Sequence, residues 1–183
     1  MRKLFMFNMM TLDGFFEGPN RDIRWHNVDA EFNSFAVEQL DEIDTLLFGR
    51  VTYELMAGYW PTPTALRNDP VVAGRMNSIS KLVFSRTLRK VEWSNSRLVK
   101  ENAAQEIEKL KRLPGKDMAI FGSSDLTTSL MGTGLIDELR IMLNPVVLGN
   151  GKPLFTEGTR VLKLIRSRTF RSGNVLLSYE PKS

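Results

Sequence analysis

Three short stretches place glycine, hydroxyl or guanidinium groups directly after an apolar run: Leu46-Leu47-Phe48-Gly49-Arg50-Val51-Thr52, Leu82-Val83-Phe84-Ser85-Arg86, and Ala119-Ile120-Phe121-Gly122-Ser123-Ser124-Asp125-Leu126. An apolar run that stops at a small residue and continues into an amphipathic segment reads as a buried strand turning into a helix. The first N–H groups of that helix lack partners in the chain and sit at the positive end of its dipole, a setting that suits phosphate. At the first stretch Gly49 lets a ligand approach the backbone, Arg50 offers a planar fork of donors, and Thr52 adds a hydroxyl. At the third, Gly122 leaves room for a diphosphate while Ser123 and Ser124 add donors. Each stretch alone has a plainer reading: a strand-to-helix turn with a capping hydroxyl, or at Ser85 and Arg86 a turn residue beside a solvated cation. Recurrence at three strand ends favours one shared anionic ligand.

The elements that must hold these turns follow from the pattern of apolar residues. A first strand runs from about Leu4 to Met9 or Met10, and a long loop marked by Asp13-Gly14 and Gly18-Pro19-Asn20 follows it. Val28, Phe32, Phe35, Ala36 and Leu40 recur at helical spacing, with Asp29 and Glu31 in the first turn. After the strand at Leu46 to Phe48, a helix begins near Arg50 and ends before Pro61 and Pro63. Residues 61–69 read as a proline-bearing connection, 71–79 as a short helix, and Lys81 to Phe84 as another buried strand. A short strand is expected within 93–99, an amphipathic helix over 101–113, a strand at Met118 to Phe121 and a helix through Leu130 and Met131. Beyond Gly134 the alternation changes: residues 137–143 and 145–148 read as one strand interrupted by Pro145, and 161–170 with 174–179 as a hairpin around Ser172-Gly173. The expectation is an α/β fold whose mostly parallel central sheet finishes in an antiparallel C-terminal hairpin.

The totals exclude several function classes. A chain of 183 residues, 42% hydrophobic, suits one buried core and a single domain. With no cysteine there is no disulfide framework or thiolate nucleophile, and a single histidine leaves little for a metal site or a hydrolytic triad; no metal is expected. His26 reads as a polar loop residue. The charged start Met1-Arg2-Lys3 meets Asn8 and Asp13 too early for a signal peptide, and no apolar stretch reaches membrane-spanning length, so a soluble cytoplasmic protein is expected. The net charge of +4 favours anionic ligands. Lys163, Arg166, Arg168 and Arg171 cluster near the C-terminus, but alternate residues of a strand share its polar face, so neither a nucleic-acid nor a membrane partner is expected.

In order along the chain, Leu12-Asp13-Gly14, Phe48-Gly49-Arg50-Val51-Thr52-Tyr53-Glu54, Val83-Phe84-Ser85-Arg86, Phe121 to Leu126, Asp137-Glu138-Leu139-Arg140, and Gly149-Asn150-Gly151-Lys152-Pro153-Leu154-Phe155 resemble the motifs of the dihydrofolate-reductase-like superfamily. Within it the chain is most similar to small stand-alone bacterial proteins related to the C-terminal reductase domain of riboflavin biosynthesis. That resemblance implies a three-layer fold binding NADPH across its strand ends. By the resemblance, Gly49, Arg50, Thr52, Ser85 and Arg86 hold the phosphates of the adenosine half, Gly122, Ser123, Ser124 and Leu126 receive the diphosphate, and Thr11, Leu12, Asp13 and Gly14 cover the nicotinamide. Two arginines at the adenosine end favour the 2′-phosphorylated cofactor.

The activity so implied is hydride transfer from NADPH to a C=N or C=O group of a small pteridine- or phosphoribosylaminopyrimidine-like substrate. Asp13 is the candidate polar group beside the nicotinamide, or else an Asp that shapes a turn before Gly14. Trp25, Tyr53 and Trp60 are candidates for the substrate wall, with core packing as the alternative. The acids of the first helix, Asp29, Glu31 and Glu38, do not match the folate reducers' motif, which argues against dihydrofolate itself. Arg21, Arg24 and Lys152 are candidates for a substrate phosphate. A homodimer is expected because relatives in this superfamily often pair, here through the C-terminal hairpin or Val146 to Phe155. A non-catalytic nucleotide binder that keeps the cleft is the alternative function.

Overall fold

A computed structural model describes residues 1–156 and 158–182. Among these residues the main sheet has eight strands, in the order β5-β4-β3-β6-β1-β7-β10-β9. They are β1 (Leu4–Thr11), β3 (Ile43–Gly49), β4 (Ser80–Phe84), β5 (Ser96–Val99), β6 (Asp117–Phe121), β7 (Glu138–Asn144), β9 (Leu162–Thr169) and β10 (Val175–Pro181), while β2 (Phe15–Glu17) and β8 (Lys152–Pro153) form a separate two-stranded ribbon. All pairs from β5 to β7 are parallel, and β10 joins β7 and β9 antiparallel. The expected fold class is therefore the observed one.

Central position explains why β1 reads as a continuous apolar run. All eight of its residues are buried, with alternate side chains entering opposite layers. Phe5, Phe7 and Met9 pack with Phe35 and Leu40 of α1 (Ala30–Glu42) and Val72 and Met76 of α4 (Pro70–Ser78). Leu4, Met6 and Met10 pack on the other face with Ile107 of α5 (Ala103–Arg112) and Leu126 and Leu130 of α6 (Ser124–Leu130). Each fully buried side chain of this size contributes about 1.5–3 kcal/mol, so the two layers fix which strand face is which.

Helix α1 begins two residues later than its apolar spacing suggests, because the Asp29 carboxylate caps it by accepting from the Phe32 amide at 2.8 Å. Helix α2 (Arg50–Tyr59) follows β3 with no intervening loop. The expected connection at 61–69 is instead mostly a helix, α3 (Pro63–Asn68). Its start was visible locally: Thr62 accepts from the Ala65 amide, and Pro63 occupies a position where a missing N–H costs nothing. Residues 145–148 do not extend β7. Pro145 cannot donate to a ladder, and the segment touches the sheet's end through Leu12 N–H donating to the Val146 carbonyl at 2.9 Å.

The basic residues of β9 have carboxylate partners. Arg166 meets Glu138 at 3.2 Å, Arg168 meets Glu38 at 2.8 Å and Lys163 meets Glu180 at 2.8 Å. Among the described residues no helix is long and apolar enough to cross a membrane.

Candidate functional site

Parallel register brings the three turns to one level. Leu47 of β3 lies beside Ile120 of β6, and Gly49 lies beside Phe84 of β4, so the chain leaves the sheet at adjacent points on its carboxyl edge. There a cleft of about 1190 Å³ opens, lined among others by Gly49, Arg50, Thr52, Ser85, Arg86, Gly122, Ser123, Ser124 and Leu126. All nine candidates for the cofactor phosphates thus share one cavity.

Two hydrogen bonds tie the first and third turns directly. The Gly49 N–H donates to the Ser123 hydroxyl at 2.8 Å, and the Ser123 N–H donates to the Thr52 hydroxyl at 2.9 Å. The sequence offers Thr52 and Ser123 as ligand donors; in the folded chain their hydroxyls join the two turns as acceptors. Gly122 is held at φ +62°, where an added Cβ would come within 3.1 Å of the Thr52 methyl, so both backbone and packing call for glycine. Gly49 differs, since its φ of −77° suits any residue and the nearest atom to an added Cβ is 3.6 Å away. Neither α2 nor α6 has a side-chain cap, leaving their first-turn amides open to whatever fills the cleft.

The cations differ in how they are engaged. Arg50 pairs with Glu54 one turn along α2 at 2.9 Å, and Lys152 pairs with Asp125 at 3.0 Å. Arg86 and Lys100 line the cleft next to the ends of β4 and β5 and have no carboxylate partner among the described residues. Lys100 was missed in the sequence, although the rule that singled out Arg86, a cation just past a strand end, applies to it equally. The Ser85 hydroxyl accepts from the amides of Thr87 and Leu88 at 3.2 and 3.1 Å, so it shapes its turn as well as lining the cleft.

The segment after β1 stands apart from the cleft. Thr11, Leu12, Asp13 and Gly14 do not line the cleft. The Thr11 hydroxyl accepts from the Phe15 amide at 2.9 Å, Leu12 points to solvent, and Gly14 turns the chain at φ +89°. The Asp13 carboxylate accepts from the Gly149 and Leu148 amides at 2.7 and 3.2 Å, fastening two loops. Hydrogen bonds from Thr11 and from those amides hold its carboxyl below the usual range, which suits an anchoring anion rather than a proton donor. The cleft is instead reached a few residues later, by Phe16, Glu17, Arg21, Ile23, His26 and Val28. Burial lowers the His26 imidazole to about 4, so it is neutral near pH 7.

Of the three candidate wall aromatics, only Trp60 lines the cleft. Tyr53 is buried on the other side of α2, where its hydroxyl accepts from the Glu92 and Trp93 amides at 3.0 and 3.1 Å. Trp25 packs against the core and donates its indole N–H to the Asp22 carbonyl at 2.9 Å. Sequence spacing cannot separate these cases, because it does not show which way a ring turns once the layers have packed. The acids of α1 are engaged elsewhere: Asp29 as a cap, Glu31 accepting from the Arg171 amide, and Glu38 with Arg168.

Residues of α1, α2 and α4 also line the cleft, among them Asn33 and Asp69, joined by an Asn33 Nδ2 to Asp69 Oδ1 hydrogen bond of 2.7 Å. Asp69 precedes α4 in the usual capping position but makes no capping bond.

Comparison with known proteins adds a lineage to this geometry. A family model described as the RibD C-terminal domain matches residues 2–176. The uncharacterized protein YyaP of Bacillus subtilis (strain 168) is 37% identical over 180 residues, covering 97% of this chain and 94% of its own. Among solved structures, a diaminohydroxyphosphoribosylaminopyrimidine deaminase/5-amino-6-(5-phosphoribosylamino)uracil reductase from Thermotoga maritima superposes with a TM-score of 0.72 at 14% identity, over 99% of this chain and 57% of that one. Dihydrofolate reductase from Enterococcus faecalis, complexed with NADP(H), superposes with a TM-score of 0.61 at 14% identity, over 99% and 97% of the two chains.

Proposed function

This chain belongs to the RibD C-terminal domain family, and from that premise we propose that it is an NADPH-dependent reductase acting on a C=N or C=O group of a small pteridine- or phosphoribosylaminopyrimidine-like substrate. The observation that carries the reading is the meeting of two uncapped helix N-termini in one cleft beside two cations that have no carboxylate partner among the described residues. Amides and cations so arranged suit a diphosphate and a further phosphate better than an uncharged ligand.

The residues fit such a cofactor. The first turns of α2 and α6, with Gly122 between them, would hold the diphosphate, and Arg86 and Lys100 the phosphate on the adenosine ribose. When bound, NADPH supplies a hydride, becoming NADP⁺, and the acceptor heteroatom takes a proton from water. The chain's own contributions are orientation and exclusion of solvent. The β2–β8 ribbon carries Phe16, whose ring lies 3.9 Å from a Cβ built on Gly122, and so roofs the turn. The homodimer expected from the sequence belongs to this reading, with the exposed Leu164 and Ile165 of the edge strand β9 and Val161 just before it as its surface.

The test is in two steps. Saturating NADPH should raise the thermal midpoint, since a ligand bound only by the folded state stabilises it. Loss of reduced nicotinamide absorbance should then follow addition of an acceptor from a panel of pterins, phosphoribosylamino pyrimidines and small carbonyl compounds. An unmoved midpoint would sink the cofactor assignment; binding without turnover across the panel would favour the non-catalytic nucleotide binder.

A further inference from the structure

We propose that Met56 is a modification site: peroxide converts its thioether to a sulfoxide whose oxygen accepts from the indole N–H of Trp60, so that the cleft wall responds to oxidant. The inference stands apart from the reductase reading, because neither the sulfur nor the indole is among the groups assigned to the cofactor.

Its starting point is an underpaired donor. Met56 and Trp60 both line the cleft, four residues apart at the C-terminal end of α2. Residues so spaced are neighbours on one face of a helix. The Trp60 indole N–H donates to the Met56 sulfur, with Nε1 and Sδ 3.1 Å apart, and that sulfur is its one acceptor among the described residues. The other two indoles have oxygen partners: Trp25 donates to the Asp22 carbonyl at 2.9 Å, and Trp93 to Asn77 Oδ1 at 2.7 Å. A thioether is a weak acceptor, so the Trp60 donor is the least satisfied of the three. A sulfoxide oxygen on that sulfur supplies a strong acceptor beside a donor already turned towards it.

Exposure selects the same residue. The chain has nine methionines and no cysteine, so no thiol competes for oxidant. Met6, Met9, Met10, Met76, Met118 and Met142 are 7% exposed or less. A sulfoxide at these positions would bury a polar oxygen among apolar side chains. Met6 does face a donor, Asn8 Nδ2 at 3.8 Å, but is fully buried. Met1 is exposed at the start of the chain, and Met131 is half-buried but does not line the cleft. Met56 combines partial exposure, a place in the cleft wall and a neighbouring donor.

In the oxidation a sulfur lone pair attacks one oxygen of hydrogen peroxide, the O–O bond breaks and an S–O bond forms. The transferred oxygen gives its proton to the departing one, which leaves as water; sulfur loses two electrons and peroxide gains them. An apolar contact in the wall becomes a dipole anchored on Trp60. A methionine sulfoxide reductase restores the thioether, so the change is reversible.

The test treats the full chain with dilute hydrogen peroxide, locates added oxygen by peptide mass spectrometry, and follows the three indole N–H signals by proton–nitrogen correlation NMR. The Trp60 signal is assigned by its loss in Trp60→Phe. Met56 should gain one oxygen at least about tenfold faster than the six buried methionines, as access dictates. With it the Trp60 signal should move downfield while those of Trp25 and Trp93 stay. In Met56→Leu, a swap of similar volume, peroxide should leave the Trp60 signal where it stood. Oxidation of Met56 no faster than that of the buried six would overturn the inference, and so would an unmoved Trp60 signal in chains oxidised at Met56. Both outcomes need only the wild type. Collapse of all three signals on oxidation would show the oxygen unfolding the wall instead of being accepted by it, and a peroxide-induced Trp60 shift in Met56→Leu would assign the change to another residue; either result defeats the proposal.

Discussion

Replacing Arg86 by alanine should discriminate between NADPH and NADH, and the structure sets the size of the effect. Arg86 lines the cleft just past the end of β4, is solvent-exposed and has no carboxylate partner among the described residues, so its guanidinium is available to a phosphate without first leaving another ion. A hydrogen bond to a charged group contributes about 1.5–3 kcal/mol when well shielded. Exposure and salt reduce that to about 1–2 kcal/mol here, corresponding to a loss of about 5- to 30-fold in NADPH affinity. NADH lacks the 2′-phosphate and should change less than about twofold. Arg50→Ala is the internal comparison. Its guanidinium is already shared with Glu54 at 2.9 Å, so engaging a phosphate displaces or weakens an existing contact, and its removal should cost NADPH only about two- to fivefold. Isothermal titration of both cofactors against wild type and both variants at low and at physiological salt provides the measurement, and the Arg86 effect should shrink as salt rises. Equal losses for NADPH and NADH, or no loss for either, would refute the placement of a phosphate beside Arg86.

Three other perturbations follow from the geometry. Gly122→Ala must accommodate φ +62° and a Cβ 3.1 Å from the Thr52 methyl, so it should cost about 1–3 kcal/mol, lower the thermal midpoint by several degrees and weaken NADPH; Gly49→Ala, with φ −77° and 3.6 Å of clearance, should be much milder, and equal losses would argue against the tight turn. Tyr53→Phe leaves the buried amide of Trp93 and that of Glu92 without their acceptor, so denaturant titration should show a loss of about 1–3 kcal/mol while the cofactor affinity stays unchanged. For His26 the folded protein resists protonation until about pH 4, whereas the unfolded chain takes up a proton near 6.5; the unfolded state thus binds more protons between those values, and stability falls as pH drops through that window by about 3 kcal/mol. His26→Phe keeps a ring against Trp25, now 4.5 Å away, and should flatten this part of the pH–stability curve; an unchanged slope would assign it to other groups.

The features legible along the chain are local and periodic. The buried run of β1 and the strand-to-helix junctions at Gly49 and Gly122 are legible because burial on both faces and a change of period leave marks in adjacent residues. Parallel register then brings the three turns together, which is why recurrence at strand ends was informative about the cleft. The role of an individual side chain follows instead from the way the layers pack. Tyr53 and Trp60 ride on and beside one short helix, yet one secures the Glu92–Trp93 loop and the other lines the cavity. Asp13 has the residue type of a catalyst and the partners of a fastener, because residues 148 and 149, far away in the chain, return their amides to it. Asn33 and Asp69 lie 36 positions apart and meet only because α1 and α4 pack on the same face of the sheet. Periodicity records which face of an element is apolar; it does not record which distant element will supply the partner, since that is set by the packing of whole layers rather than by neighbours along the chain.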